Sequence, residues 1–119
     1  MATPNWIQKL MASIDAMDAD TFVSFLTEDA QFRYGSNPPT VGKGPIRDGV
    51  AMFFTQYKKL QHRVLGTWTH PDAVFVQGQV TYTRHDGSQV TVPFLNCLKM
   101  RKDKVHEYLI YIDPSPMAG

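Results

Sequence analysis

The sequence has little cysteine, no long apolar run and none of the common catalytic motifs, and each of these absences excludes a class of protein. Cys97 is the single cysteine, so there is no intrachain disulfide framework and no thiolate cluster for zinc. No apolar run approaches the roughly 20 residues that span a bilayer, and the first residues lack the basic-then-apolar order of a signal peptide. Glycine-rich phosphate loops and serine-nucleophile motifs are absent. We therefore expect an intracellular, cytoplasmic protein without a metal or a cofactor.

Charge of one sign is also scarce. Twelve Lys and Arg residues oppose 11 Asp and Glu residues, which gives a net charge of +1 at pH 7. The basic clusters at 58–63 and 101–104 are short and interrupted, whereas nucleic-acid binding needs a larger basic footprint. The length of 119 residues and the hydrophobic fraction of 43% are ordinary for one folded domain. We expect a single domain, residues 1–119, that binds neither nucleic acid nor membrane.

Helical periodicity is confined to the first half of the chain. Thr3 is placed to cap a first helix that accepts Pro4 in its first turn, and apolar residues then recur at helical spacing to about residue 14. Caps at 18–21 indicate a second, short helix that reaches residue 26. A third helix is expected over 44–57, where a Gly-Pro pair opens a wide apolar stripe.

The second half of the chain has the pattern of strands. A short strand is expected at 31–34, and four long ones follow at 60–69, 73–85, 88–100 and 105–112. Asp86-Gly87 between two of them is a strong hairpin signal. Gly66 and Gly78 lie inside neighbouring strands, nearly opposite each other, and predict a bulge or sharp bend. Helices first and a strand meander last indicate an α+β domain.

Strand pairing predicts which side chains share a face of the sheet. Two-residue turns at 71–72 and 86–87 set the registers, because directly opposed residues project to one face. The length of the last turn leaves two registers open. A three-residue loop brings Tyr108 or Ile110 beside Asn96, whereas a two-residue loop brings Leu109 there. The shared face mixes apolar walls with uncharged hydrogen-bonding groups, which suits a ligand pocket, although an outer face or a dimer surface also fits. Its expected members are His62, Val64, Gln77, Gln79, Thr81, Phe94, Asn96, Tyr108 and Ile110.

Three segments carry a resemblance to a known family. Residues 18–30 (DADTFVSFLTEDA) resemble the helix-to-first-strand segment of the nuclear transport factor 2-like superfamily, also called the SnoaL-like family. Residues 41–46 (VGKGPI) resemble its lead into the third helix, and residues 108–116 resemble its terminal strand. The resemblance, which runs from Leu10 to Met117, implies a cone-shaped fold. In that fold three N-terminal helices pack on a strongly curved antiparallel sheet enclosing a pocket, usually in a homodimer.

The resemblance does not choose a reaction, because the family includes ketosteroid isomerases, epoxide hydrolases, polyketide cyclases and proteins without catalytic activity. The position of the steroid isomerase base holds Tyr34, its tyrosine position holds Leu10, and its acid position holds Asn96. The late carboxylate position of the limonene epoxide hydrolases holds Ile110. The carboxylates that both mechanisms use are therefore missing.

Tyr34 and His62 remain as candidate catalytic residues, since an imidazole titrates near neutral pH. The expected pocket comprises Tyr34, His62, Gln79, Phe94, Asn96, Tyr108 and Ile110. We expect it to bind, and to transform if the protein is an enzyme, a small, largely apolar, oxygen-bearing molecule such as a steroid, terpene or polyketide fragment. The alternative is a non-enzymatic dimerisation or ligand-binding module. A homodimer is expected from the resemblance and from Val74, Val76 and Val80, predicted opposite the pocket face.

Overall fold

The computed structural model describes residues 3–118, which form three helices packed on one face of a six-stranded sheet. The strand order in the sheet is β2-β1-β6-β5-β4-β3, and the expected α+β class is confirmed. Among these residues no helix is both long and apolar enough to cross a membrane. In chain order the elements are α1 Asn5–Asp15, α2 Ala19–Val23, β1 Leu26–Tyr34, β2 Thr40–Val41, α3 Lys43–Thr55, β3 Lys59–His70, β4 Ala73–Thr83, β5 Gln89–Arg101, β6 Lys104–Ile112 and a 3-10 turn, Ser115–Ala118.

The sheet is mixed and not antiparallel throughout as expected, because β1 runs parallel to β6 while every other neighbouring pair is antiparallel. It is open, since β2 and β3 form its two edges. Phe32 lies opposite Tyr108, and Tyr34 lies opposite Ile110. The pairing therefore places the aromatic end of β1 beside Tyr108 and Ile110, the two predicted pocket residues on β6.

The helix starts follow the sequence signals only in part. Thr3 does not cap α1: Pro4 is the N-cap residue, and its carbonyl accepts the backbone N–H groups of residues 7 and 8. Asp18 does cap α2, because its carboxylate accepts the backbone N–H of Thr21 at 3.1 Å. The second helix ends at Val23, and Leu26 begins β1. It is shorter than predicted, because Leu26 enters the sheet opposite Val105 of β6.

Replacing Asp18 with alanine is expected to lower the urea midpoint of unfolding at pH 7 and to leave it nearly unchanged near pH 2. The hydroxyl of Thr21 donates to the Asp18 carboxylate at 2.6 Å, and this bond, with the backbone one, holds the pKa of Asp18 below its ordinary value. A carboxylate with a lowered pKa stabilises the fold above its unfolded pKa, and the contribution is lost as the pH falls through the folded value. An equal loss at both pH values would contradict this reading of the cap.

The hairpin between β4 and β5 has a three-residue loop, so the predicted two-residue turn is wrong. Arg84 and Ser88 still pair, through a backbone bond of 2.8 Å, and Gly87 takes a φ of +90° in the loop. Such a loop, a turn followed by a left-handed glycine, is the second commonest hairpin connection. It shifts the register by one residue, so that Asn96 lies opposite Val76 and Phe94 lies opposite Gly78.

Irregularities in two other strand pairs correct the remaining registers. The turn after His70 has two residues as predicted, but the register shifts between Val64 and Gly66, where the glycines predict a bulge. His62 consequently lies opposite Val80 rather than Thr81. Between β5 and β6 a two-residue turn is followed by another shift, which brings Ile110 opposite Asn96.

The main core lies between the helices and the face of the sheet that they cover, which we call the inner face. Val74, Val76 and Val80 of β4 are buried there, so the prediction that they face outward is wrong, because the shifted registers reverse every side chain of the strand. Other fully buried side chains of this core are Ile7, Leu10, Phe22, Leu26, Ile46, Leu60, Leu98, Val105 and Tyr108.

Candidate functional site

The helices and the inner face leave a cavity of about 220 Å³. Its walls are mostly aliphatic and aromatic, and within residues 3–118 no Lys, Arg, Asp or Glu side chain lines it. A wider vestibule adjoins it and shares Tyr34, Asn37, Gly49 and Phe53 with it. The polar side chains around the cavity are Tyr34, Asn37, Thr40, His62, Tyr82, Asn96 and Tyr108.

The structure brings six of the seven predicted pocket residues together around this cavity and leaves one out. Those six are Tyr34, His62, Phe94, Asn96, Tyr108 and Ile110. Gln79 lies opposite Pro93 on the outer face and is exposed. It was misplaced because the prediction assumed a two-residue turn, and the three-residue loop moves Gly78 into the position opposite Phe94.

His62 is held by the carboxylate of Asp15, the last residue of α1. Its Nδ1 lies 2.6 Å from Asp15 Oδ1, and its backbone N–H also donates to the two carboxylate oxygens, at 3.1 and 3.0 Å. Because an ionised carboxylate can only accept, Nδ1 carries a proton. In the neutral imidazole, Nε2 is then left with its lone pair.

The surroundings of this pair fix the ring in place. The His62 side chain is only 12% exposed, and that of Asp15 is 29% exposed. The Phe94 ring stands edge-on to the imidazole, with centroids 5.5 Å apart. A base whose rotamer and tautomer are both fixed, on the wall of an apolar cavity, is arranged for proton transfer.

Sequence reasoning missed Asp15, which is 47 residues away from His62 along the chain. The contact depends on how the end of α1 packs against β3, and no local pattern reports that. The one available signal was the place of Asp15 directly after the apolar stripe of the first helix. A polar residue there must project at the end of the helix, near whatever strand the stripe covers.

Two tyrosines from distant strands meet at the cavity. The hydroxyl oxygens of Tyr34 in β1 and Tyr82 in β4 are 2.9 Å apart. Burial raises the pKa of Tyr34 and, more strongly, that of Tyr82. Both phenols are therefore protonated at neutral pH, so Tyr34 is placed to donate a hydrogen bond rather than to act as a base.

Asn96 supplies a polar atom with no protein partner. Its Nδ2 lies 3.4 Å from the hydroxyl of Tyr108, a long contact, while its buried Oδ1 has no hydrogen-bond partner among residues 3–118. Exchanging the amide O and N atoms would let Tyr108 donate to the oxygen instead. In either orientation one atom of the amide is left for a group in the cavity, and leaving it unpaired costs about 1–3 kcal/mol.

Comparisons with known proteins agree on the fold. The chain matches the model of the SnoaL-like domain over residues 7–108, whereas among functionally curated proteins none matches. A candidate polyketide cyclase from Xanthomonas campestris pv. campestris superposes with a TM-score of 0.84 at 15% identity, covering 93% of this chain and 90% of that one. TerC, co-crystallised with polyporic acid, gives 0.82 at 19% identity, covering 94% and 92%.

A protein from Catenulispora acidiphila with a ketosteroid isomerase-like fold, in complex with trimethylamine, gives a TM-score of 0.84 at 12% identity, covering 92% of this chain and 86% of that one. Identities this low establish the fold and not the chemistry. The family match, in contrast, covers most of the chain, and the three helices on a mixed sheet agree with it. The chain therefore belongs to the SnoaL-like domain family, within the nuclear transport factor 2-like fold.

Proposed function

We propose that this protein binds a small, largely apolar, oxygen-bearing molecule in its cavity and transfers a proton to or from it through His62. The observation that carries the proposal is the Asp15–His62 pair, which fixes the imidazole on the wall of a cavity without charged lining. Nε2 would act as the general base, and the carboxylate of Asp15 would stabilise the imidazolium that forms. Isomerisation and cyclisation are reaction types that such a base serves.

The lining supports a ligand that is apolar with a few oxygen atoms. Such pockets typically combine hydrophobic walls with a small number of placed polar groups. Here Asn96 offers an unpaired amide atom and Tyr34 a hydroxyl, while Phe22, Phe32 and Phe94 supply aromatic walls.

The cavity volume favours a compact ligand. An apolar protein cavity of about 150 Å³ holds benzene, so about 220 Å³ suits one or two rings, with any further part of the molecule in the vestibule. A terpene or aromatic polyketide fragment fits this size better than a four-ring steroid. A candidate polyketide cyclase and a complex with polyporic acid among the structural neighbours are consistent with that class.

The proton on His62 provides a test that needs no ligand. We expect ¹⁵N NMR, recorded at a pH where the His62 imidazole is neutral, to show Nδ1 as its protonated nitrogen and Nε2 as the unprotonated one. Asp15→Asn removes the carboxylate that fixes this tautomer, so the two nitrogens should then exchange roles in part. His85, which is exposed and bonds the carbonyl of Thr55 through Nε2, serves as the internal control. A wild-type His62 protonated on Nε2 would contradict the proposed role.

We further propose that the protein forms a homodimer in which the outer faces of the two sheets meet. The alternative function, a dimerisation module without catalysis, would use the same surface. Three exposed apolar side chains there, Trp68, Leu95 and Tyr111, form what we call the outer patch. Leu95 and Tyr111 lie directly opposite each other on β5 and β6. Exposed apolar patches on a sheet commonly mark an interface.

A cytoplasmic location stays a prediction.

Leu95→Glu is expected to convert the dimer to a monomer, because a charge at the centre of the outer patch would have to be buried without a partner. Sedimentation velocity at micromolar concentration measures the change. Val41→Glu is the control, since Val41 is also an exposed apolar residue but lies on the short edge strand β2. A wild-type monomer, or a Leu95→Glu variant that remains dimeric, would overturn the proposed interface.

A further inference from the structure

The hydrogen bond between Tyr34 and Tyr82 could run in either direction by distance alone, but the burial of Tyr82 favours one of them. Tyr82 is only 3% exposed, and within residues 3–118 the Tyr34 oxygen is the one hydrogen-bond partner of its hydroxyl. A buried O–H group that does not donate costs free energy. Tyr82 therefore donates to Tyr34, and the proton of Tyr34 is left for a third group.

The third group must lie in the cavity. Tyr34 is half-buried and lines both the cavity and the vestibule. A hydroxyl that already accepts a hydrogen bond is polarised and becomes a better donor, by roughly 10–30% per bond in condensed phases. The pair thus presents one strengthened donor to whatever occupies the cavity.

Neighbouring rings hold the pair in position. Phe53 of α3 packs against the Tyr34 ring at a centroid distance of 5.6 Å and against the Tyr82 ring at 6.2 Å. Tyr57 stacks on Tyr82 at 4.9 Å. Because the rings cannot swing freely, the position of the Tyr34 oxygen is set before a ligand arrives, as an anchoring group requires.

The acceptor on the ligand belongs to an uncharged group. Among residues 3–118 no Lys or Arg side chain lines the cavity or the vestibule, and the His62 imidazole in the wall already faces the carboxylate of Asp15. A buried carboxylate or phosphate on the ligand would therefore lack a free counter-charge, which is strongly unfavourable. A ketone or quinone carbonyl accepts a hydrogen bond without bringing a charge.

We infer that Tyr82 is a positioning residue that directs the Tyr34 hydroxyl at a carbonyl oxygen, and that the ligand is an uncharged carbonyl compound. The inference rests on the proposed function, since it assumes that the cavity binds a small molecule. It adds the acceptor group of that molecule and a role for a residue that need not touch it.

The infrared stretching frequency of a bound carbonyl tests the inference. The probe is 2-tetralone, a two-ring ketone labelled with ¹³C at the carbonyl, bound to the full-length protein. Tyr34→Phe should raise the carbonyl frequency, because the donor is gone. Tyr82→Phe should also raise the carbonyl frequency, by about 10–30% of the increase that Tyr34→Phe causes. Tyr111→Phe is the control and should leave the frequency at the wild-type value, because it removes a tyrosine hydroxyl on the outer face of the sheet, away from the cavity and the vestibule.

The outcomes separate this inference from the function on which it rests. Saturable binding with the same frequency in wild type and Tyr82→Phe overturns the inference and leaves the proposed function standing. No saturable binding of the ketone to the wild-type protein overturns both. If Tyr82→Phe does not fold, Tyr34→Phe decides the matter, because an unchanged frequency in that variant removes the donor that Tyr82 is proposed to direct.

Discussion

His62→Gln is expected to lower the rate at which the protein exchanges the α-protons of bound 2-tetralone with D₂O by about 10²–10⁴-fold. In the proposed reaction of the wild type, Nε2 takes a proton from the carbon beside the carbonyl, and the electron pair moves to the carbonyl oxygen. The imidazolium exchanges its proton with solvent and returns a deuteron to the same carbon. Proton NMR follows the loss of the α-proton signal. Glutamine is similar in size and polar but cannot act as a base at neutral pH.

The controls distinguish a base from a structural histidine. His70→Gln should exchange the ketone at the wild-type rate, because His70 is exposed at the hairpin turn, away from the cavity. Asp15→Asn should fall between the wild type and His62→Gln, since it leaves the base but removes the group that orients it. If His62→Gln retains the wild-type rate while binding the ketone, His62 is not the base.

Gly78→Ala is expected to destabilise the fold by about 3 kcal/mol or more, at or above the upper end of the usual cost of overpacking. A Cβ atom at Gly78 would overlap the carbonyl oxygen of Arg63 and lie 3.1 Å from the ring of Phe94. The first neighbour is backbone of the paired strand and cannot move away without breaking the register next to the bulge. Urea unfolding measures the loss.

Gly49→Ala provides the matched substitution. Gly49 lies inside α3, and a Cβ there would meet no atom within 4 Å. Alanine loses less conformational freedom than glycine in a helix, so the change should be neutral or stabilising by up to about 1 kcal/mol. If both variants lose the same stability, or if Gly78→Ala is as stable as the wild type, the inference that β3 leaves no room for a side chain at position 78 is wrong.

Periodicity and turn residues predicted the order and type of the main elements, because each depends on a few neighbouring residues. The end of the second helix and the strand β2 depend on pairing with distant strands, so local signals did not locate them. Loop length was the decisive error in the later strands. One additional residue between Arg84 and Ser88 moved Gln79 out of the cavity and Val80 into it.

The candidate site was predictable where a residue's face follows from its own strand and not where it follows from tertiary packing. Asn96 and Phe94 alternate on β5, and their shared face could be proposed from sequence. His62 reached the predicted side because the bulge beside Gly66 and the longer hairpin loop each shift a register by one residue, and the two errors cancel. The partners Asp15 and Tyr82 come from other elements and become visible only when the helices and the sheet are assembled.

Native mass spectrometry of the protein as purified tests the claim that the cavity holds a small molecule. We expect the intact protein to carry extra mass that corresponds to one uncharged molecule of one or two rings per chain, released when the same sample is sprayed from denaturant. Ile110→Trp, which places an indole in the cavity opposite Asn96, should remove that mass while the protein stays folded. A protein that carries no additional mass, and that gains none after incubation with 2-tetralone, would contradict the claim.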